Sequence, residues 1–190
     1  MVTQEDATYI RRVFPEIEMI KNKELAQKVV EVWAEVWHES AWAKIEDVPK
    51  NPSRDADLKL VPHTRGTIRL AIAMAESVLE FHGVGVDMDV VIAGALLHDV
   101  DKLLGYGPVG GTGAKTRFGK LLPHGVYGGY KMLAKGMPMD LVHLVVSHSS
   151  NATNTVPITL EGIIVRNVDH SDSEAMHYMA ANTPAAPKAQ

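Results

Sequence analysis

Residues 90–104, VVIAGALLHDVDKLL, hold the longest apolar stretch of the chain and end it on charge. From Val90 to Leu97 every side is apolar, and in a soluble protein a helix of that kind forms the centre of the core. His98 and Asp99 close it, yet ionisable groups seldom sit unpaired in an apolar interior. A buried hydrogen bond between the two is one explanation; a bound metal ion is a sufficient other. Neighbouring helix positions point about 100° apart. The pair therefore closes on an ion beside the helix only if other segments complete the shell.

Working outward, apolar residues recur at helical intervals between breaks rich in Pro and Gly, which predicts an all-α fold, a helical bundle of about six main helices. The first is expected from Pro15 to about Trp42, with Trp33, Trp37 and Trp42 at helical spacing as core. Val48 to Val61, broken by Pro and charge, reads as a connection able to fold over something. Pro62 suits the first turn of a second helix ending at His82 and Gly83, and Asp87 suits the cap of the central third. Gly105 to Gly113 contains five glycines and reads as a mobile loop. Further helices are expected from Pro123 to about Lys135, Pro138 to about His148, and Leu160 to about Ala180. No linker separates two core-sized segments, so residues 1–180 read as one domain with its core at about 60–175, followed by a disordered tail, 181–190.

Composition narrows the chemistry. With 190 residues, 46% apolar and 22% charged, the chain can bury a core, and its formal charge of -4 disfavours nucleic acid as a partner. The start, MVTQEDATYIRRVF, lacks the pattern of a secretory signal, and eight apolar residues from Val90 to Leu97 fall far short of the roughly 20 needed to cross a bilayer. A cytoplasmic protein, with no membrane partner, is the expectation; a homo-oligomer is compatible with it. Without cysteine, the strong metal ligands are carboxylates and the nine histidines.

His63, His124, His148 and Asp169 each border an apolar stretch. If the helices form one bundle, these four and the His98–Asp99 pair converge as four imidazoles and two carboxylates, a donor set suited to one or two divalent ions of Fe, Mn, Zn or Ni. The ordered set, a histidine, then LLHDVDK, then a distant aspartate, resembles the HD-domain superfamily of metal-dependent hydrolases over residues 60–175. That resemblance implies His63, His98, Asp99 and Asp169 as its ligands. It further implies that His124 and His148 hold a second ion, with Asp99 bridging. The sequence departs from the cyclic-dinucleotide phosphodiesterases of that superfamily: Ser147 and Ser149 flank His148 where those proteins carry paired histidines, and GYGP at residues 105–108 is a chance echo of their signature.

Lys102, one turn past Asp99, is expected to contact an anionic small-molecule substrate and with Asp99 to carry the reaction. Arg65, Lys115 and Arg117 are expected to assist in substrate binding, and Lys120 lies in the same loop. The loop is not a Walker motif, because Ala114 separates Gly113 from Lys115. His143, His170 and His177 read as spare positions, and His38 and His82 as solvated. The leading expectation is metal-dependent hydrolysis of a small phosphorylated, nucleotide-like compound. The alternative is a mixed-valent di-iron oxygenase of the same superfamily, and the third reading is a non-catalytic, metal-stabilised binding module.

Overall fold

The computed structural model describes residues 2–52, 55–108, 113–149 and 154–182. Among them the all-α expectation holds: helices make nearly all the regular structure, and the strands form two small antiparallel hairpins.

The N-terminal region departs from the expected single helix. Helix α1 (Gln4–Val13) opens on a reciprocal cap, in which Thr3 Oγ1 accepts from Asp6 N and Asp6 Oδ2 from Thr3 N. A 3-10 turn, Pro15–Met19, precedes α2 (Lys23–Glu39). The break has a long-range cause. Asp89 accepts from the backbone N–H of Lys21 and of Asn22, both at 2.8 Å, fixing those residues outside any helix, and Asn22 then caps Leu25 N. Trp33 is core as expected, fully buried with its indole donating to Leu96 O at 3.1 Å.

The expected connection from Val48 to Val61 contains a short hairpin among its described residues. After a short turn, Ile45–Asp47, strands β1 (Pro49–Asn51) and β2 (Asp55–Lys59) pair antiparallel and lead into α3 (Leu60–His82). Pro62 does sit in the first turn of α3, and Gly83 ends it at φ 67.

Asp87 caps α4 (Met88–Leu97) by accepting from Asp89 N and Val90 N, as expected. Its residues Val91 to Leu97 are all buried, because α4 packs against α2, α3, α8 and α9. Each such Leu or Ile stabilises the fold by about 1.5–3 kcal/mol. Gly94 permits a close crossing with α8, since a Cβ there would lie 2.6 Å from Leu144 Cδ1. The helix does not run on through the HD pair. His98 ends it, and Val100 N and Lys102 N bond back to Leu97 O and Asp99 O, tightening the chain into a turn before α5 (Lys102–Gly105).

Part of the glycine-rich loop is also ordered. Strand β3 (Tyr106–Gly107) pairs with β4 (Ala114–Lys115), and Thr116 caps an additional helix, α6 (Arg117–Leu121); residues 109–112 lie outside the described set. Helix α7 (Val126–Ala134) begins after Gly125, at φ 85, rather than at Pro123. Helices α8 (Met139–Ser147) and α9 (Leu160–Asn182) fall where expected. The expected disordered tail lies mostly outside the described residues. No helix among them is long and apolar enough to cross a membrane.

Candidate metal centre

Six side chains converge from five segments. The first turn of α3 contributes His63, the turn after α4 gives His98 and Asp99, the segment before α7 gives His124, the end of α8 gives His148, and the middle of α9 gives Asp169. His63 Nε2 lies 3.3 Å from His98 Nε2, 3.4 Å from Asp99 Oδ2 and 3.1 Å from Asp169 Oδ1. His124 Nε2 lies 3.0 Å from His148 Nε2 and 2.6 Å from Asp99 Oδ1. Donor atoms of His63, His98 and Asp99 fall within 4.8 Å of one another, as do those of Asp99, His124 and His148.

The chemistry of this set fits a divalent metal. Each histidine donates through Nδ1 to an acceptor behind it: His63 to Asp172 at 2.6 Å, His98 to Ala95 O at 2.7 Å, His124 to Asp101 at 2.9 Å, and His148 to Val145 O at 2.6 Å. A histidine whose Nδ1 carries the hydrogen presents a lone pair at Nε2, the arrangement that carboxylate and carbonyl partners impose on metal-ligating imidazoles. All four Nε2 atoms face inward, and His63, His98, Asp99 and His148 are buried. Four inward imidazole nitrogens with carboxylate oxygens suit the borderline divalent metals.

Electrostatics at the site are strong. Burial opposes charge on Asp99, yet Lys102, His98 and His124 hold its pKa well below the ordinary carboxylate value. Asp169 is likewise depressed, its burial outweighed by His63 and His98. Burial pulls His63 down, but Asp169, Asp172 and Asp99 lift it to about 9; Asp99 and Asp101 do the same for His124. Burial dominates for His148 and lowers it.

Over the centre lies a cavity of about 710 Å³, lined by Asp99, Asp169, His124 and His148 together with the cations Lys50, Lys102, Lys115 and Arg166. Lys102 is in place, 2.5 Å from Asp99 Oδ2, and Lys115 reaches the wall. Two expected substrate contacts are not in the cavity. Arg65 faces away from it and pairs with the buried Glu16 at 3.0 Å, because positions two apart on a helix point in nearly opposite directions. Arg117, with Lys120, is exposed on α6 outside the lining. His170 and His177, read as spare, do line it, and His38 pairs with Asp6 at 2.9 Å. His143 Nε2 accepts from Ile158 N. Asp101, Asp172 and Lys50 were not anticipated. Asp172 carried a legible signal, sitting three residues after Asp169 on one helix face, whereas Lys50 comes from a hairpin and carried none.

Comparison with known proteins accords with this geometry. The sequence matches the HD domain family over residues 60–174, and the chain belongs to that family. It is also similar to the dihydroneopterin 2′,3′-cyclic phosphate phosphodiesterase of Methanocaldococcus jannaschii, with 29% identity over 174 residues, 87% of this chain and 69% of the relative. No solved structure matches it. The family and the relative mark the chain as a metal-dependent phosphohydrolase, an enzyme acting on phosphoric esters.

Proposed function

We propose that the chain is a two-metal phosphodiesterase of the cytoplasm that opens a small 2′,3′-cyclic phosphate to a phosphomonoester. One observation carries the two-metal reading. The carboxylate of Asp99 splits its oxygens, Oδ2 lying 3.4 Å from the Nε2 atoms of both His63 and His98, and Oδ1 lying 2.6 and 3.7 Å from those of His124 and His148. On this reading His63, His98 and Asp169 hold one ion, His124 and His148 the other, and Asp99 both.

Bound divalent ions supply a hydroxide nucleophile at neutral pH and draw charge from the phosphoryl oxygens. The protein's own share is placement and charge. Asp101 and Asp172 keep hydrogen on the outer nitrogens of His124 and His63, so the inner nitrogens stay available. Burial lowers the pKa of Lys102, but Asp99 and Asp169 more than restore it, so this side chain stays an ammonium. Held beside Asp99, it offsets the negative charge that grows on the equatorial oxygens as one P–O bond to the ring breaks. The cavity, about 710 Å³, falls within the roughly 300–1,000 Å³ that accommodates a small heterocyclic compound. A cyclic phosphate is the substrate class in the archaeal relative's name. The oxygenase would draw on the same ligands; the cations lining the cavity favour an anionic phosphoryl group instead.

The test is metal analysis of protein purified without added ions, paired with anaerobic assays on 2′,3′-cyclic phosphates. Two ions per chain, with phosphomonoester formed in the absence of oxygen, is the expected result; His98→Ala loses both ions and His124→Ala one. Unchanged metal in His124→Ala reduces the centre to a single ion, and turnover that depends on oxygen replaces the phosphodiesterase with the oxygenase.

A further inference from the structure

We propose that Lys50 is a phosphoryl-binding residue, brought to the cavity by the β1–β2 hairpin from outside the region that matches the family. The inference rests on the phosphohydrolase reading and adds to it a contact that residues 60–174 do not contain. Lys50 is 4% exposed, lines the cavity over the centre, and donates from Nζ to Ser173 Oγ, which in turn bonds Asp169 Oδ1 at 3.4 Å.

Anchoring the hairpin to α9 does not by itself call for a charge. Removing an ammonium from water is costly, and a neutral donor would make the same hydrogen bond to Ser173 without that cost. Lys50 also acts against Lys102, one of the cations that share its cavity, while Asp99, Asp169 and Asp172 oppose that repulsion. Two of those three carboxylates are metal ligands in the proposed centre, so their charge is committed elsewhere once ions bind. A buried and a partly buried ammonium group then face one space from different segments, β1 and the start of α5. An incoming group with several anionic oxygens satisfies both. Lys50 thereby supplies a second point of attachment, fixing the orientation of the phosphoryl group rather than only its presence.

The experiment measures binding of inorganic phosphate to the manganese-loaded chain by calorimetry, with metal content and melting temperature followed in parallel. Lys50→Gln keeps a donor for Ser173 and removes the charge; Lys50→Arg keeps the charge. Expected are a loss of affinity of about tenfold or more in the Gln variant, the scale of one charge-assisted hydrogen bond, and substantial recovery in the Arg variant, with metal content unchanged in both. Phosphate affinity within twofold of the parent in Lys50→Gln would overturn the proposal. So would loss of metal in that variant, or no phosphate binding by the parent chain. If cyclic phosphates are not turned over while phosphate binding still depends on Lys50, the substrate reading fails and this one stands.

Discussion

The two halves of the centre are built differently. His63 and His98 are fully buried and, with Asp169, come from α3, α4 and α9, three elements that pack on one another in the core. His124, with a quarter of its side chain exposed, stands in the segment joining α6 to α7, and His148 caps the end of α8. Core packing holds the first half in place, because moving those ligands means moving helices. In the second half His148, buried at the end of α8, is likewise set by core packing, whereas His124 depends on a local device, Asp101, which accepts from His124 Nδ1 at 2.9 Å and from Gly125 N at 2.7 Å. If two ions bind, the one held by His63 and His98 is therefore held more tightly.

The largest effect belongs to the residue both halves share. Asp99→Ala removes an oxygen donor from each side and leaves the partly buried Lys102 without its nearest counter-charge. Both ions are expected to be lost and activity to fall by at least about a thousandfold, roughly 4 kcal/mol of barrier. Stability drops by about 3–5 kcal/mol, as when one partner of a buried ion pair is deleted. Metal analysis and thermal denaturation check both outcomes, and a variant that keeps one ion would show that Asp99 does not bridge.

The supporting carboxylates sharpen the asymmetry. Asp172→Asn and Asp101→Asn are each expected to weaken metal binding by about 10–100-fold. The loss in the first falls on the His63 side, and in the second on the His124 side. Stepwise removal by a chelator separates the two: the parent chain gives up one ion before the other, and Asp101→Asn widens the gap while Asp172→Asn narrows it. Simultaneous release in every variant would mean that core and periphery hold their ions equally.

Acidity provides a third probe. In the metal-free chain His63 and His124 have their pKa raised from 6.5 to about 9. A histidine raised in the folded state stabilises it fully below the unfolded value, and that contribution is lost as pH climbs toward the folded one. Metal-free protein is thus expected to lose stability between about pH 6.5 and 9, by on the order of a few kcal/mol. Metal-loaded protein should show no such slope, since its ligands are already deprotonated, and metal uptake near pH 7 should release protons to the buffer. Denaturant melts across that range, with and without ions, decide it.

What could be read from the chain beforehand follows the same division. Local signals were legible: Asp87 capping α4, Pro62 in the first turn of α3 and Gly83 ending it all act within a few residues of where they stand. The six side chains that converge at the candidate centre were conspicuous as well, since an ionisable group after an apolar run stands out without knowing the partner. What escaped depends on contacts distant in sequence. The break before α2 is imposed by Asp89, 68 residues from Lys21, and no spacing rule links the two. Lys50 reaches Ser173 across 123 residues through a hairpin whose register shifts between Pro49 and Asn51. Asp101 was in view beside the HD pair. Its role depends on the chain turning after Leu97 instead of continuing as a helix, and only that turn directs its carboxylate at His124 and Gly125.

The smallest functional effect is expected at the two arginines that lie outside the cavity. Arg65 is on the same helix as His63 and two residues from it, but its guanidinium packs on Glu16, whose side chain is 1% exposed. Arg65→Ala should therefore leave kcat/KM for a cyclic phosphate within twofold of the parent while lowering stability by about 1–3 kcal/mol, because Glu16 loses its closest charged partner and Arg69 lies farther off at 3.9 Å. Arg117→Ala, on the exposed α6, should change neither quantity measurably. Steady-state kinetics set beside melting curves separate the two kinds of loss. A KM raised fivefold or more in Arg65→Ala, with stability unchanged, would mean that α3 turns this side chain toward the substrate and that the positive charge over the centre extends beyond Lys50, Lys102, Lys115 and Arg166.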